Sequence, residues 1–134
     1  MIPAGVESLL AMAMLSELRD QLGARSDEFL VTVGEKIGDV CVMSAQGDTG
    51  HLMRWMNGIW AELGMGCVTL KTGARRLEIT HRLPDLPPEN MLWSDALPFI
   101  VEGVYRSWFH RMDSRGVLGR GSRSKGELKF VYSD

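Results

Sequence analysis

The sequence predicts an α+β fold: three N-terminal helices, a β-hairpin, a further helix and C-terminal strand(s), the strands forming a small antiparallel sheet. Two observations carry this. As far as Leu63, apolar residues recur at i, i+3 and i+4, the spacing of one helical face; from Gly64 they alternate with period two. No βαβ rhythm and no internal repeat interrupts that order. We expect one domain over 1–134, with a helical part at about 4–63 and a sheet-plus-helix part at about 64–134.

Val6 to Leu22 reads as the first helix, with Val6, Leu9, Leu10, Ala13, Met14, Leu18 and Leu22 on its inner face. Ala11, Met12 and Leu15 are apolar as well, so this helix is either deeply buried or covered by another chain. Gly23 is a natural stop. Ser26 is the expected cap of the second helix, with Asp27 and Glu28 at its positive end and Leu30, Val33, Ile37, Val40 and Cys41 as its buried stripe. Ser44 to Gly50 is rich in turn formers. Asp48 or Thr49 caps the third helix, whose stripe is Leu52, Trp55, Met56, Ile59 and Leu63.

Beyond Gly64, Val68 and Leu70 face one way, the "TGARR" turn follows, and Leu77, Ile79, His81 and Leu83 continue the alternation. Pro84, Pro87 and Pro88 end the strand. Ser94 or Asp95 caps a fourth helix with Pro98 in its first turn and Leu97, Val101, Val104, Tyr105, Trp108 and Met112 inward. Asp113 to Gly126 reads as a mobile loop or frayed strand, and Glu127 to Ser133 as an edge strand.

Composition narrows the function. A formal charge of -2 exerts no overall pull on nucleic acid or anionic membrane. The longest apolar run, Leu9 to Leu15, is far below the ~20 residues a bilayer requires, and the first charge is Glu7 rather than a basic cluster. Neither membrane insertion nor secretion is expected; a cytoplasmic location is favoured over a periplasmic one. Cys41 and Cys67 form no CxxC and read as reduced, mostly buried thiols. Met12, Met14, Met53 and Met56 fall at helical spacing as soft core or interface filler.

No catalytic constellation is visible. Gly64 and Gly66 lack the third glycine and the strand–glycine–helix order of a phosphate loop; a helix stop and a turn into the sheet explain them. His81 lies on an apolar strand face, where a histidine bonded to its neighbours is expected. His51 and His110 have no carboxylate or cysteine at ligand spacing, so neither metal nor cofactor is expected. Glu102 and Arg106 are spaced for an i, i+4 ion pair. Arg115, Arg120, Arg123 and Lys125 make the tail basic, as a solvated loop or a weak anion contact. Trp55 fits the core stripe; Trp60 lies off it and Trp93 falls in a loop, so both join Leu9, Met12 and Leu15 as oligomer-interface candidates.

Two segments, Asn57 to Pro84 ("NGIWAELGMGCVTLKTGARRLEITHRLP") and Leu97 to Phe109 ("LPFIVEGVYRSWF"), resemble the D subunit of bacterial cellulose synthase, also called cellulose synthase operon protein D. The ordered set Gly64, Gly66, His81, Pro84, Glu102, Gly103, Tyr105 and Trp108 carries the likeness as structural motif residues. The resemblance implies a non-catalytic accessory subunit of cellulose biosynthesis and polysaccharide export. Its partners would be itself, with dimers assembling into an octameric ring, other cellulose synthase subunits, and β-1,4-glucan. It would act as a scaffold organising nascent chains or synthase complexes into crystalline cellulose. The N-terminal segment Met1, Ile2, Pro3, Ala4 and Gly5 is the candidate glucan path under this resemblance. The alternative is a small-molecule-binding sensor domain with an apolar pocket near His81.

Overall fold

A computed structural model of the chain describes residues 5–41, 48–85, 91–112 and 116–133. The elements run α1 (Gly5–Leu22), a 3-10 turn (Gly23–Arg25), α2 (Ser26–Val40), α3 (Thr49–Leu63), β1 (Cys67–Gly73), β2 (Arg76–Arg82), α4 (Met91–Met112), β3 (Val117–Ser124) and β4 (Glu127–Ser133). The strands form one antiparallel sheet in the order β1-β2-β4-β3. The α+β order predicted from the sequence is the observed one.

Register follows from the alternation. Val68 pairs with His81, Leu70 with Ile79, Ile79 with Phe130 and His81 with Leu128, so one sheet face is apolar apart from the imidazole. That face packs on α4, whose residues from Ala96 to Tyr105 are nearly all buried. The other side of α4 crosses α2 at contact distance. Gly34 and Gly38 on α2 meet Gly103 and Ser107 on α4; a Cβ on Gly103 would overlap the Val31 carbonyl oxygen, and one on Gly38 would lie 2.7 Å from the Ser107 Cβ. α3 lies along the outer edge of β1. Asn57 Nδ2 donates to the Val68 carbonyl (3.0 Å), and the Val68 amide donates to Asn57 Oδ1 (2.7 Å). The Leu70 amide points at Met53 Sδ (3.5 Å), and the Thr49 and Thr72 hydroxyls meet at 3.1 Å. One stripe of α3 thus occupies the edge that a further strand would otherwise use.

Several local expectations are corrected. Ser26 does not cap α2: the 3-10 turn feeds straight into the helix, and the buried Ser26 hydroxyl donates instead to the Gly23 carbonyl (2.7 Å) and accepts from Arg19. Asp48 does cap α3, accepting from the His51 amide (2.8 Å). α4 begins at Met91, so Pro98 lies inside it and Trp93 is helical rather than in a loop. Residues 117–124 of the basic tail form a strand, which makes β3 the edge and β4 an interior strand. Cys67 is exposed and Cys41 half-buried. The expected glucan-path residues Met1, Ile2, Pro3 and Ala4 lie outside the described residues, as do Pro87, Pro88 and Arg115; Gly5 opens α1.

From Leu9 to Leu15 every residue of α1 is apolar, and this hides which side faces inward. Leu15 is its buried residue among those described, whereas Leu9, Leu10 and Met14, assigned above to the inner face, are 48%, 58% and 64% exposed.

Candidate functional site

Gly64, Gly66, His81, Tyr105 and Trp108 of the ordered set meet at one buried hub, whereas Glu102 and Gly103 face other parts of the chain. Gly64 ends α3 in the left-handed conformation (φ 66°), which a glycine adopts without Cβ penalty. Gly66 (φ 104°) passes so close to the Arg82 carbonyl that no side chain fits. The chain then enters β1, and the Met65 carbonyl is left facing β2. His81 Nε2 donates to that carbonyl (2.8 Å), which can only accept. The ring is neutral, since burial lowers its pKa to about 4 against a smaller opposing pull from the Met65 carbonyl. Nδ1 therefore accepts from the Tyr105 hydroxyl at 2.7 Å. Burial also pushes the Tyr105 phenol well above its ordinary value; the buried Trp60 indole nitrogen, on the ring beside it, makes no hydrogen bond within the chain.

Aromatic rings close the hub. Trp60 meets His81 edge-on at 4.7 Å and Tyr105 at 5.4 Å, and Trp108 receives Trp55 at 5.1 Å. Trp60, His81, Tyr105 and Trp108 are all 0% exposed. Trp60 is thus a core residue and no interface candidate: α3 is covered both by the sheet edge and by α4, so its buried sector is wider than a single stripe. Among the described residues, His81 is fully buried and lines none of the grooves described below. Both ring nitrogens are bonded, so the hub joins β2, α4 and the end of α3 and offers no free group to a ligand.

A second buried polar cluster fixes β3. Glu102, 4% exposed on α4, accepts from Arg106 (3.0 Å) and from Arg120 on β3 (2.6 Å and 3.1 Å). A register shift in β3 between Arg120 and Arg123 accompanies this, with the Arg123 guanidinium 5.8 Å from the centre of the Phe99 ring. The basic tail is therefore partly committed to the chain's own α4. Among the described residues no three His, Cys, Asp or Glu side chains gather as metal ligands.

An apolar groove of about 640 Å³ lies between α1, α2 and the start of α4. Leu15 and Leu30 lie along it, with Met14, Leu18, Phe29 and Trp93 among its other lining residues. Of the interface candidates, Trp93 and Leu15 line this groove, Leu9 is exposed and Met12 is half-buried on the same helix. Leu10, Met14 and Phe29, the last 49% exposed, join them and were not among the sequence candidates. The excess of apolar residues on α1 was the signal; the facing direction was not encoded in it.

The sequence profile of the cellulose synthase D-subunit family matches residues 7–128, which takes in the hub, the groove and the Glu102 cluster. The chain belongs to the cellulose synthase D-subunit family. Membership places it among the accessory subunits of cellulose biosynthesis, in association with the cellulose synthase complex. Among curated proteins no sequence matches this member of the family. A solved structure, a point mutant of H-NOX from T. Tengcongensis, is similar in fold: TM-score 0.55, 13% identity, covering 89% of this chain and 69% of that one. At that identity the likeness is one of fold alone. Among the described residues no helix of this family member is long and apolar enough to cross a membrane.

Proposed function

We propose that the chain is a non-catalytic scaffold subunit that assembles with copies of itself and, so assembled, organises nascent β-1,4-glucan chains or synthase complexes into crystalline cellulose. Dimers form first and close into a larger ring, an octamer in the family resemblance, on the cytoplasmic side of the membrane.

The observation that supports it is the state of α1. In proteins most of a helix's stability comes from tertiary packing of its apolar face, and the 18-residue α1 is no exception. Here one described residue of α1 is buried, and Leu9, Leu10 and Met14 stand in solvent beside the apolar groove. No charge interrupts the helix between Glu7 and Glu17. A second copy, laid antiparallel so that each α1 ridge enters the other's groove, buries both at once and closes by a two-fold axis. The His81 hub, with both ring nitrogens already bonded inside the chain, supports a role in holding the fold for assembly rather than in chemistry.

Solution mass tests this directly. Size-exclusion chromatography with light scattering should give a closed multimer for the wild type. Leu10→Glu with Met14→Glu, both exposed in the single chain, should reduce it to monomer with unchanged helix content. A wild-type monomer at micromolar concentration overturns the scaffold, and a deletion strain that still makes normally crystalline cellulose overturns the role.

A further inference from the structure

The two edges of the sheet differ. At β1 the edge is closed by α3: Asn57 engages both backbone groups of Val68, and Met53 Sδ faces the Leu70 amide. At β3, among the described residues, no element takes that place. Every residue of Val117–Ser124 is exposed except the half-buried Leu118. Among the described residues, no backbone bond outside the β3–β4 ladder reaches this strand. In an antiparallel pair alternate residues turn both backbone groups toward the neighbour, so the residues between them on β3 point theirs away from β4. Such a row of open N–H and C=O groups is a template for one more strand.

Part of the edge is usable. The register shift between Arg120 and Arg123 interrupts it and leaves Val117 to Arg120 in continuous register, about 13 Å at 3.3 Å per residue. Gly119 has no side chain to obstruct an approaching backbone, and Val117, 65% exposed, offers an apolar cross-strand contact. Val117 and Leu118 also border a cavity of about 680 Å³ that reaches Phe109 and Arg111 of α4, which gives room to inward side chains of an added strand.

Charge selects the occupant. Between Gly116 and Gly126 there is no acidic residue, while Arg120, Arg123 and Lys125 all fall there. Arg120 is engaged by Glu102; Arg123 and Lys125 are exposed and, among the described residues, in no ion pair. A second β3 laid against this one would line up the cations of both copies on one seam, and like charges opposed across strands destabilise the pairing. The cavity beside Val117 has Glu35 and Asp39 on its α2 wall, so acidic side chains suit the Arg123–Lys125 end and apolar ones the Val117 end. In strand addition the main chain supplies affinity and the side chains specificity.

We infer that the free edge of β3 takes up an extended, acidic peptide segment of another protein as a further strand of the sheet. This surface is separate from α1, and the inference does not depend on self-assembly there.

The probe is a fluorescein-labelled peptide of alternating valine and threonine with a run of glutamates at one end, made in both orders because pairing can run in either direction. Anisotropy with the full-length assembled protein should show saturable binding of one order, and the same peptide with lysines for glutamates should bind at least tenfold more weakly. N-methylation of alternate peptide amides should abolish binding in one phase of the alternation and spare it in the other. Hydrogen exchange at the amides of residues 117–120 should slow when the peptide is bound. Arg123→Glu with Lys125→Glu should reverse the preference between glutamate and lysine peptides, with melting temperature and multimer mass unchanged. No binding of either order at millimolar concentration overturns the inference, as does binding that survives both N-methylation phases or leaves exchange at 117–120 unchanged. If those amides are already slow in the multimer and become fast in the Leu10→Glu, Met14→Glu monomer, a second copy holds the edge: the inference falls and the assembly stands. A monomeric wild type that binds the peptide along β3 supports the inference and overturns only the assembly.

Discussion

The Tyr105 hydroxyl of α4 donates to His81 Nδ1 of β2 at 2.7 Å, inside a shell of aromatic rings that excludes water. His81→Ala leaves the phenol and the Met65 carbonyl buried without their partner and opens a cavity. We expect a loss of about 3 kcal/mol in urea unfolding, from unmet hydrogen bonds plus lost packing. Multimer mass under native conditions should not change.

The same residue sets a pH dependence. The folded pKa of His81 is about 4, below the 6.5 of the unfolded chain, so between those values the unfolded state binds the extra proton. Its contribution is complete above 6.5 and is lost as pH falls toward 4. The loss is up to about 3 kcal/mol at 1.36 kcal/mol per unit. Comparing wild type with His81→Ala across pH 4 to 7 isolates this, because the variant should show a flatter profile over that window.

Crossing geometry yields a sharper contrast. Gly103→Ala places a methyl against the Val31 carbonyl, and Gly34→Ala places one against the Ile100 carbonyl; backbone cannot yield as a flexible side chain can. Each should cost at least about 4 kcal/mol, the upper range for single substitutions, or abolish soluble expression. Gly58→Ala, inside α3 with no atom within 4 Å of the added methyl, should instead stabilise by roughly 0.5–1 kcal/mol. Equal effects at positions 103 and 58 would refute the close crossing.

Much of this was legible in the sequence, and the failures share a physical cause. The hairpin, the left-handed Gly64 and the inward His81 follow from period-two alternation and glycine backbone freedom, both local properties. Trp60 and the facing of α1 depend on how many neighbours an element has. α3 is wedged between the β1 edge and α4, so a residue off its main stripe is still enclosed, whereas α1 is short of neighbours and exposes residues on its apparent stripe. Strand β3 carries Arg120, Gly121, Ser122 and Arg123 in place of an apolar alternation; pairing with β4 and the Glu102 bridge hold it. The Gly34–Gly103 crossing was invisible because its halves are far apart in the chain, each unremarkable alone.

Asn57 substitutes for a missing strand. Both its amide groups engage the Val68 backbone, so Asn57→Ala should uncover one N–H and one C=O of the β1 edge. A loss of about 2 kcal/mol is expected, with faster hydrogen exchange at the Val68 amide. Asn57→Asp keeps the acceptor and sets a carboxylate oxygen against the Val68 carbonyl, so it should be no better than alanine. Recovery by aspartate would mean that the Val68 carbonyl bond contributes little.

Glu102 should show strong non-additivity. The carboxylate side chain is 5% exposed while its partners Arg106 and Arg120 are 45% and 62% exposed, so either guanidinium can be lost to solvent with the other still in place. Arg106→Ala or Arg120→Ala alone should cost about 0.5–1 kcal/mol, as for half-exposed ion pairs. The double variant strands a buried carboxylate and should cost about 3 kcal/mol, more than the two singles combined. Glu102→Gln in the double-variant background should restore part of that loss by removing the charge. A double variant that merely adds its singles would mean that water reaches Glu102, and that β3 is held to α4 by strand pairing alone.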